Sequence, residues 1–112
     1  MAMSEEEFTD RADEALEALD TAVSRLAARL PVEADHEGGV LKLSFTEPDD
    51  AVFVISANSP ARQLWLSARL QSFKFDWVED AERWELHGSG EPMNAVLQRL
   101  IREQLGDDSI VL

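Results

Sequence analysis

Apolar residues recur at three- and four-residue steps from Phe8 through Ala12, Leu16, Leu19, Val23 and Leu26 to Leu30. That period gathers them on one helical face, and it predicts a helix from Ser4 to about Arg29. Ser4 with Glu7 three residues on makes a capping box, Glu5 to Glu7 suit the positive N-terminal end, and Pro31 is the stop. From Val32 the period changes to two. Val32 to Glu37 places Glu33, Asp35 and Glu37 on one face and Val32, Ala34 and His36 on the other, before a tight turn at Gly38-Gly39. Val40 to Phe45 follows, with Leu41, Leu43 and Phe45 inward and Lys42 and Ser44 outward. Glu47-Pro48-Asp49-Asp50 is a turn, and Ala51 to Ala57 a third strand that sets Phe53 and Ile55 against Val52 and Val54.

Asn58-Ser59-Pro60 leads into a fourth strand, with Leu64 and Leu66 on one face and Gln63, Trp65 and Ser67 on the other. If the leucines face a core, Trp65 stands in solvent; a register slip of one residue would bury it and expose both leucines. Phe73 to Val78 turns Phe73, Phe75 and Trp77 inward and Lys74 and Asp76 outward. Glu82 to His87 turns Trp84 and Leu86 inward and Arg83, Glu85 and His87 outward, which makes Trp77 and Trp84 core residues in this reading. Gly88-Ser89-Gly90 breaks the pattern. Pro92 takes the first position of a second helix with the stripe Met93, Val96, Leu97, Leu100 and Ile101, and Gly106 ends it. The apolar end Ile110-Val111-Leu112 can tuck against the helices.

Short turns between strands argue for an antiparallel meander. The expected fold is α+β: a two-layer α/β sandwich of helix, about six mainly antiparallel strands and helix, with both helices on one sheet face. The other face is then open and shows Lys42, Gln63, Trp65, Ser67, Lys74, Arg83 and Glu85. At 112 residues the chain is expected to be a single domain, 1–112.

Charge changes the picture more than composition does. The 23 acidic and 10 basic residues leave a net charge of −13. That opposes binding nucleic acid or an anionic membrane through a basic field, and favours cations or a basic protein surface. On the first helix the face opposite the apolar stripe carries Asp10, Asp13, Glu14, Glu17 and Asp20, then Thr21 and Ser24. Carboxylates so spaced repel by a few tenths of a kcal/mol per pair, and Arg11, Arg25 and Arg29 relieve part of this. With no cysteine, the chain has no thiol nucleophile and no thiolate metal ligand. No run approaches the roughly 20 apolar residues that span a bilayer, and the acidic start Met-Ala-Met-Ser-Glu-Glu-Glu lacks the features of a targeting leader. Serines lack a suitably spaced His and Asp, a phosphate-cradling loop is absent, and Gly88-Ser89-Gly90 is sufficiently explained as a helix start.

Pro60-Ala61-Arg62-Gln63-Leu64-Trp65-Leu66-Ser67 resembles the Pro-x-(Lys/Arg)-Gln-(Ile/Leu/Val)-Trp-Leu-(Ser/Ala) run of the frataxin family, in particular its bacterial CyaY-type branch. Gly38-Gly39-Val40-Leu41, the aromatic-Asp pair Phe75-Asp76 followed by Trp77, Trp84, and Ser89-Gly90 before the second helix stand in the family's order, so the resemblance covers nearly the whole chain. It implies an α–β-sheet–α sandwich and a part in iron–sulfur cluster assembly. It further implies weak binding of iron by carboxylates of the first helix and first strand, and binding to a complex of cysteine desulfurase and scaffold protein whose rate is modulated. One departure is visible: where the family's first helix stays acidic to its end, this chain has Thr21, Ser24, Arg25 and Arg29.

The candidate iron ligands are accordingly Asp10, Asp13, Glu14, Glu17, Asp20, Glu33, Asp35 and Glu37. Oxygen donors suit Fe3+ and weakly held Fe2+, and an open helix face gives low affinity. The candidate partner-binding residues are Gln63, Trp65 and Ser67 toward the scaffold, and Glu17, Asp20, Glu33 and Asp35 toward the desulfurase. His36 and His87 have no ligand spacing. The expectation is a non-enzymatic, cytoplasmic bacterial regulator, monomeric with iron-dependent oligomers conceivable, and with no nucleic-acid or membrane partner. The competing reading is a ferroxidase or iron-storage protein.

Overall fold

The computed structural model describes residues 3–112. Met1 and Ala2, the start of the stretch read as free of a leader, lie outside them. Within the described residues the order is α1 (Glu5–Leu26), β1 (Val32–Glu37), β2 (Val40–Phe45), β3 (Ala51–Asn58), β4 (Gln63–Ala68), β5 (Gln71–Val78), β6 (Arg83–Leu86) and α2 (Met93–Leu105). The strands form one antiparallel sheet in chain order. Both helices pack on the same face of it, α1 mainly over β1 and α2 over β6, so the α+β sandwich expected from the pattern is the one observed.

The helices start and stop for local reasons. Ser4 Oγ accepts from the Glu7 N–H at 3.1 Å, which satisfies one of the orphan amides of the first turn. The α1 end lies three residues before the expected Arg29. Arg29 N–H donates to Leu26 O at 3.0 Å and Leu30 N–H to the same oxygen at 2.9 Å, closing the chain into a tight turn. Pro31 disfavours helical backbone at Leu30, so the helix yields before reaching it. Pro92 is the N-cap of α2 rather than its first residue, with extended backbone at ψ 140°. Gly106 ends α2 at φ 63°, the left-handed conformation that glycine adopts without penalty.

Sheet parity decides the core. Leu41, Leu43, Phe53, Ile55, Leu64, Leu66 and Phe75 are buried on the inner face beneath Phe8, Leu16, Leu19 and Val23 of α1 and Val96, Leu97 and Ile101 of α2. Each large side chain so buried contributes about 1.5–3 kcal/mol. Ile110 is buried too, and the tail is tied down where Arg102 Nε donates to Ile110 O at 2.7 Å and the Leu112 N–H to Gln98 Oε1 at 2.9 Å. Trp84 is core as expected. Trp77 is not: it is half-buried at the rim, with Arg11 over its ring at 5.1 Å and Trp84 edge-on at 5.7 Å. It borders a cleft between α1 and the start of α2, lined by Ala15, Ala18, Pro92 and Met93 among others, so the helices leave its ring partly open beneath the Arg11 guanidinium.

Strand β5 begins at Gln71 rather than Phe73, because the β4–β5 connection is a two-residue hairpin. Ala68 pairs with Gln71, and both intervening residues have positive φ, Arg69 at 49° and Leu70 at 63°. Such turns normally take Asn-Gly. Arg69 is retained by a 2.9 Å bond from Nη1 to Gln104 Oε1, whereas Leu70 is fully exposed at 108%. Leu70→Gly is therefore expected to raise stability by about 0.5–1 kcal/mol. Leu66→Ala, in the middle of the buried face, is expected to cost about 2–5 kcal/mol. Urea midpoints of the two variants check both.

Candidate docking face and acidic edge

Strand register sorts the open sheet face into rows. Glu37, Val40, Ser56, Trp65 and Lys74 lie side by side across β1 to β5. Next to them run Asp35, Lys42, Val54, Ser67 and Ser72, and on the other side Asn58, Gln63, Asp76 and Glu85. Every expected outward residue is on this face, and Trp65 is at its middle, 37% exposed between the buried Leu64 and Leu66. The surroundings are small or apolar: Val54, Ser56, Ser67, Ser72 and Lys74 join Trp65 around a shallow depression of about 230 Å³. Val52 adds exposed apolar area at 53%.

Trp65 is held from three sides. Leu64 and Leu66 fix the strand beneath it. Lys74 Nζ sits 4.8 Å above the ring, a cation–π contact worth about 0.5–1 kcal/mol at an exposed site. The indole Nε1–H donates to Gln63 Oε1 at 3.0 Å, and Gln63 Nε2 donates in turn to Asp76 Oδ1 at 2.9 Å. On the second Asp76 oxygen, Oδ2, the His87 Nδ1 lies at 2.7 Å. Partial burial pushes the Asp76 carboxyl up, but the bonds from Gln63 and His87 and the His87 charge outweigh it and hold the carboxyl below its usual value.

The acidic residues divide between two layers. Asp10, Asp13, Glu14 and Glu17 are exposed on α1 and Asp20 is half-exposed; Glu33, Asp35 and Glu37 are exposed on β1, on the same sheet face as Trp65. Because α1 packs chiefly on β1, the two stripes lie at the same edge of the sheet, one on the helical layer and one on the open face. Two of these carboxylates are engaged locally: Glu14 with Arg11 at 3.5 Å and Asp20 with Ser24 Oγ at 3.4 Å. Among the described residues, no three His, Asp or Glu side chains come together closely enough to hold a metal ion. The donors suit iron chemically, but they form a charged edge rather than a closed coordination site. His36 hydrogen-bonds the Gly38 carbonyl oxygen through Nε2 at 3.1 Å and is turned away from the carboxylates.

Asp76 and His87 are the residues of this face that pattern reading left outside the site. The pairing of Gln63 with Asp76 follows from the β4–β5 register, and that register depends on the Arg69-Leu70 turn, which has no Gly or Asn to announce it.

The Frataxin-like domain model matches residues 1–107. The chain is 33% identical over 108 residues to the "Iron-sulfur cluster assembly protein CyaY" of Pseudomonas fluorescens, covering 96% of this chain and 94% of that one. It is 33% identical over 106 residues to the protein of the same name from Pseudomonas aeruginosa, covering 95% and 94%. The frataxin of Psychromonas ingrahamii has the same fold, with a TM-score of 0.82 at 23% identity over 94% of each chain. No described helix is long and apolar enough to cross a membrane.

The depressed Asp76 pKa has a consequence for stability. The stabilisation from its ionised form is in place above the unfolded carboxylate range and is lost as pH falls through the lower folded value. Asp76→Asn is expected to lower the urea midpoint at neutral pH, and the gap to wild type is expected to close once the pH is below that folded value.

Proposed function

The chain belongs to the frataxin-like family, and from that premise we propose that it is a non-enzymatic accessory of iron–sulfur cluster assembly in the bacterial cytoplasm. In this reading it docks on a complex of cysteine desulfurase and scaffold protein and modulates the rate of cluster formation. The observation that carries the reading is Trp65, held upright at the centre of a sheet face that neither helix covers. A preorganised tryptophan ringed by small residues is a favoured anchor for a partner, since little side-chain freedom remains to be lost on binding. Gln63 and Ser67 flank it as polar contacts. The printed name of the Pseudomonas relatives supports the pathway.

The acidic edge supplies the second half of the interaction. Glu17 and Asp20 on α1 with Glu33 and Asp35 on β1 present negative charge to a basic surface of the desulfurase, steering association and fixing orientation. Iron is cargo in this account, held weakly by the open carboxylates of Asp10, Asp13, Glu14, Glu17, Asp20, Glu33, Asp35 and Glu37 rather than bound as a resident cofactor. Solvated carboxylates on an open surface suit weak, exchangeable binding.

Two outcomes test the proposal. Affinity for a bacterial desulfurase–scaffold complex, titrated over a salt series, is expected to fall with salt for wild type, and to be lower at low salt with a shallower salt dependence for Glu17→Lys and Asp35→Lys; equal affinity for all three at low salt removes the electrostatic half. Trp65→Ala is expected to change stability by about 1 kcal/mol or less, yet to abolish most of the effect on cluster formation followed by absorbance. A variant that unfolds, or one that regulates as wild type does, contradicts the anchor role.

A further inference from the structure

The bonds that run from Trp65 to His87 have a direction. A carboxylate can only accept, so Asp76 forces Gln63 to present its NH2 to Oδ1 and forces His87 to carry its proton on Nδ1. Gln63 therefore turns Oε1 toward Trp65, the one orientation in which the indole N–H finds an acceptor. His87 is kept in the Nδ1–H tautomer, and its Nε2 is the atom that gains or loses a proton. The side chain as a whole is 69% exposed.

We propose that Asp76 and His87 are a positioning pair for the docking face: they set the Gln63 amide, and through it the Trp65 indole, according to the charge on His87. The docking consequence rests on the function proposed above; the positioning itself does not. With His87 neutral, the Asp76 charge polarises the Gln63 amide and makes Oε1 a stronger acceptor for the indole. Protonation at Nε2 draws that charge toward the imidazolium, and the Gln63–Trp65 bond loosens, because two donors on one carboxylate compete. Histidine is the side chain that ordinarily changes charge between about pH 5 and 8.

Among the described residues, the charged groups around His87 are few. From β5 come Asp76 and Lys74, whose carbonyl oxygen accepts from the His87 N–H at 2.8 Å. On the approach from β6 are Glu85 and Arg83, and these are paired with each other at 2.6 Å. From β4 come only the uncharged Gln63 and Trp65, and both helices lie on the far side of the sheet. Among the described residues, Asp76 is the one side chain bonded to the ring.

The test reads the isolated protein first. In 1H–15N spectra, the indole N–H resonance of Trp65 is expected to move upfield as pH falls through the histidine range, in step with the His87 ring protons. Trp77, whose indole bonds Glu79 at 2.7 Å outside this chain, serves as the internal control and is expected to stay. His87→Ala removes the Trp65 transition. Gln63→Ala leaves the His87 titration but uncouples Trp65 from it, which separates relay through the amide from a direct field effect. Both substitutions are at exposed or half-exposed positions, and dispersed backbone spectra verify that the variants are folded. A Trp65 resonance that stays still through the histidine range, or that titrates in Gln63→Ala as in wild type, overturns the proposal. Affinity for the desulfurase–scaffold complex is then compared at the two ends of the range. Wild type is expected to bind about threefold to tenfold more weakly at the acid end, the scale of one hydrogen bond, and His87→Ala to show no such change. If the resonance titrates but affinity does not, the positioning stands and the assignment of this face as the docking surface fails.

Discussion

Two helices can cover only one face of a six-stranded sheet, and the rest of the molecule follows from that limit. Strand side chains alternate, so every strand must commit one parity to the helices and the other to solvent. The leucines, phenylalanines and isoleucine of β2 to β5 take the covered parity and exclude water with the apolar stripes of α1 and α2. What remains is an uncovered face where serines, lysines, glutamine, several valines and one tryptophan must coexist with water. Trp65 cannot turn inward without expelling Leu64 and Leu66, so its exposure is enforced by the core rather than chosen locally.

The same alternation ties the acidic residues to the anchor. Glu33, Asp35 and Glu37 project from β1 on the Trp65 side, while the carboxylates of α1 project from the helical layer. An account that treats the acidic edge and the tryptophan as separate surfaces misses that β1 belongs to both. The row Glu37, Val40, Ser56, Trp65, Lys74 runs from negative edge through apolar middle to a cation. A partner lying across it would meet charge, then the anchor, then charge of the other sign. This graded surface fits steering followed by apolar docking more readily than it fits iron held in a closed site.

Much of this was legible in the chain. The three- and four-residue steps of α1, the Gly38-Gly39 turn and the alternation around Leu64 and Leu66 each have a strong local cause, and each predicted element was found. The boundaries that moved have non-local or weak causes. Leu30 is forced out of the helix by the proline that follows it, and Trp77 borders the cleft between α1 and the start of α2. The Arg69-Leu70 hairpin is held by tertiary bonds to α2 instead of by turn chemistry. That last case hid the β4–β5 register, and with it the bond between Gln63 and Asp76. Candidate residues on the open face were therefore readable from parity, whereas the network that orients them was not.

The central claim is that the uncovered sheet face, with its β1 margin, is where this protein meets the cluster-assembly machinery. Titrating the 15N-labelled protein with an unlabelled desulfurase–scaffold complex tests it most directly. The account predicts that signals of Val54, Ser56, Gln63, Trp65, Ser67 and Lys74, together with Glu33 and Asp35, broaden first while those of α2 and the C-terminal tail persist. Broadening that begins on α2 and leaves the Trp65 indole sharp would contradict it.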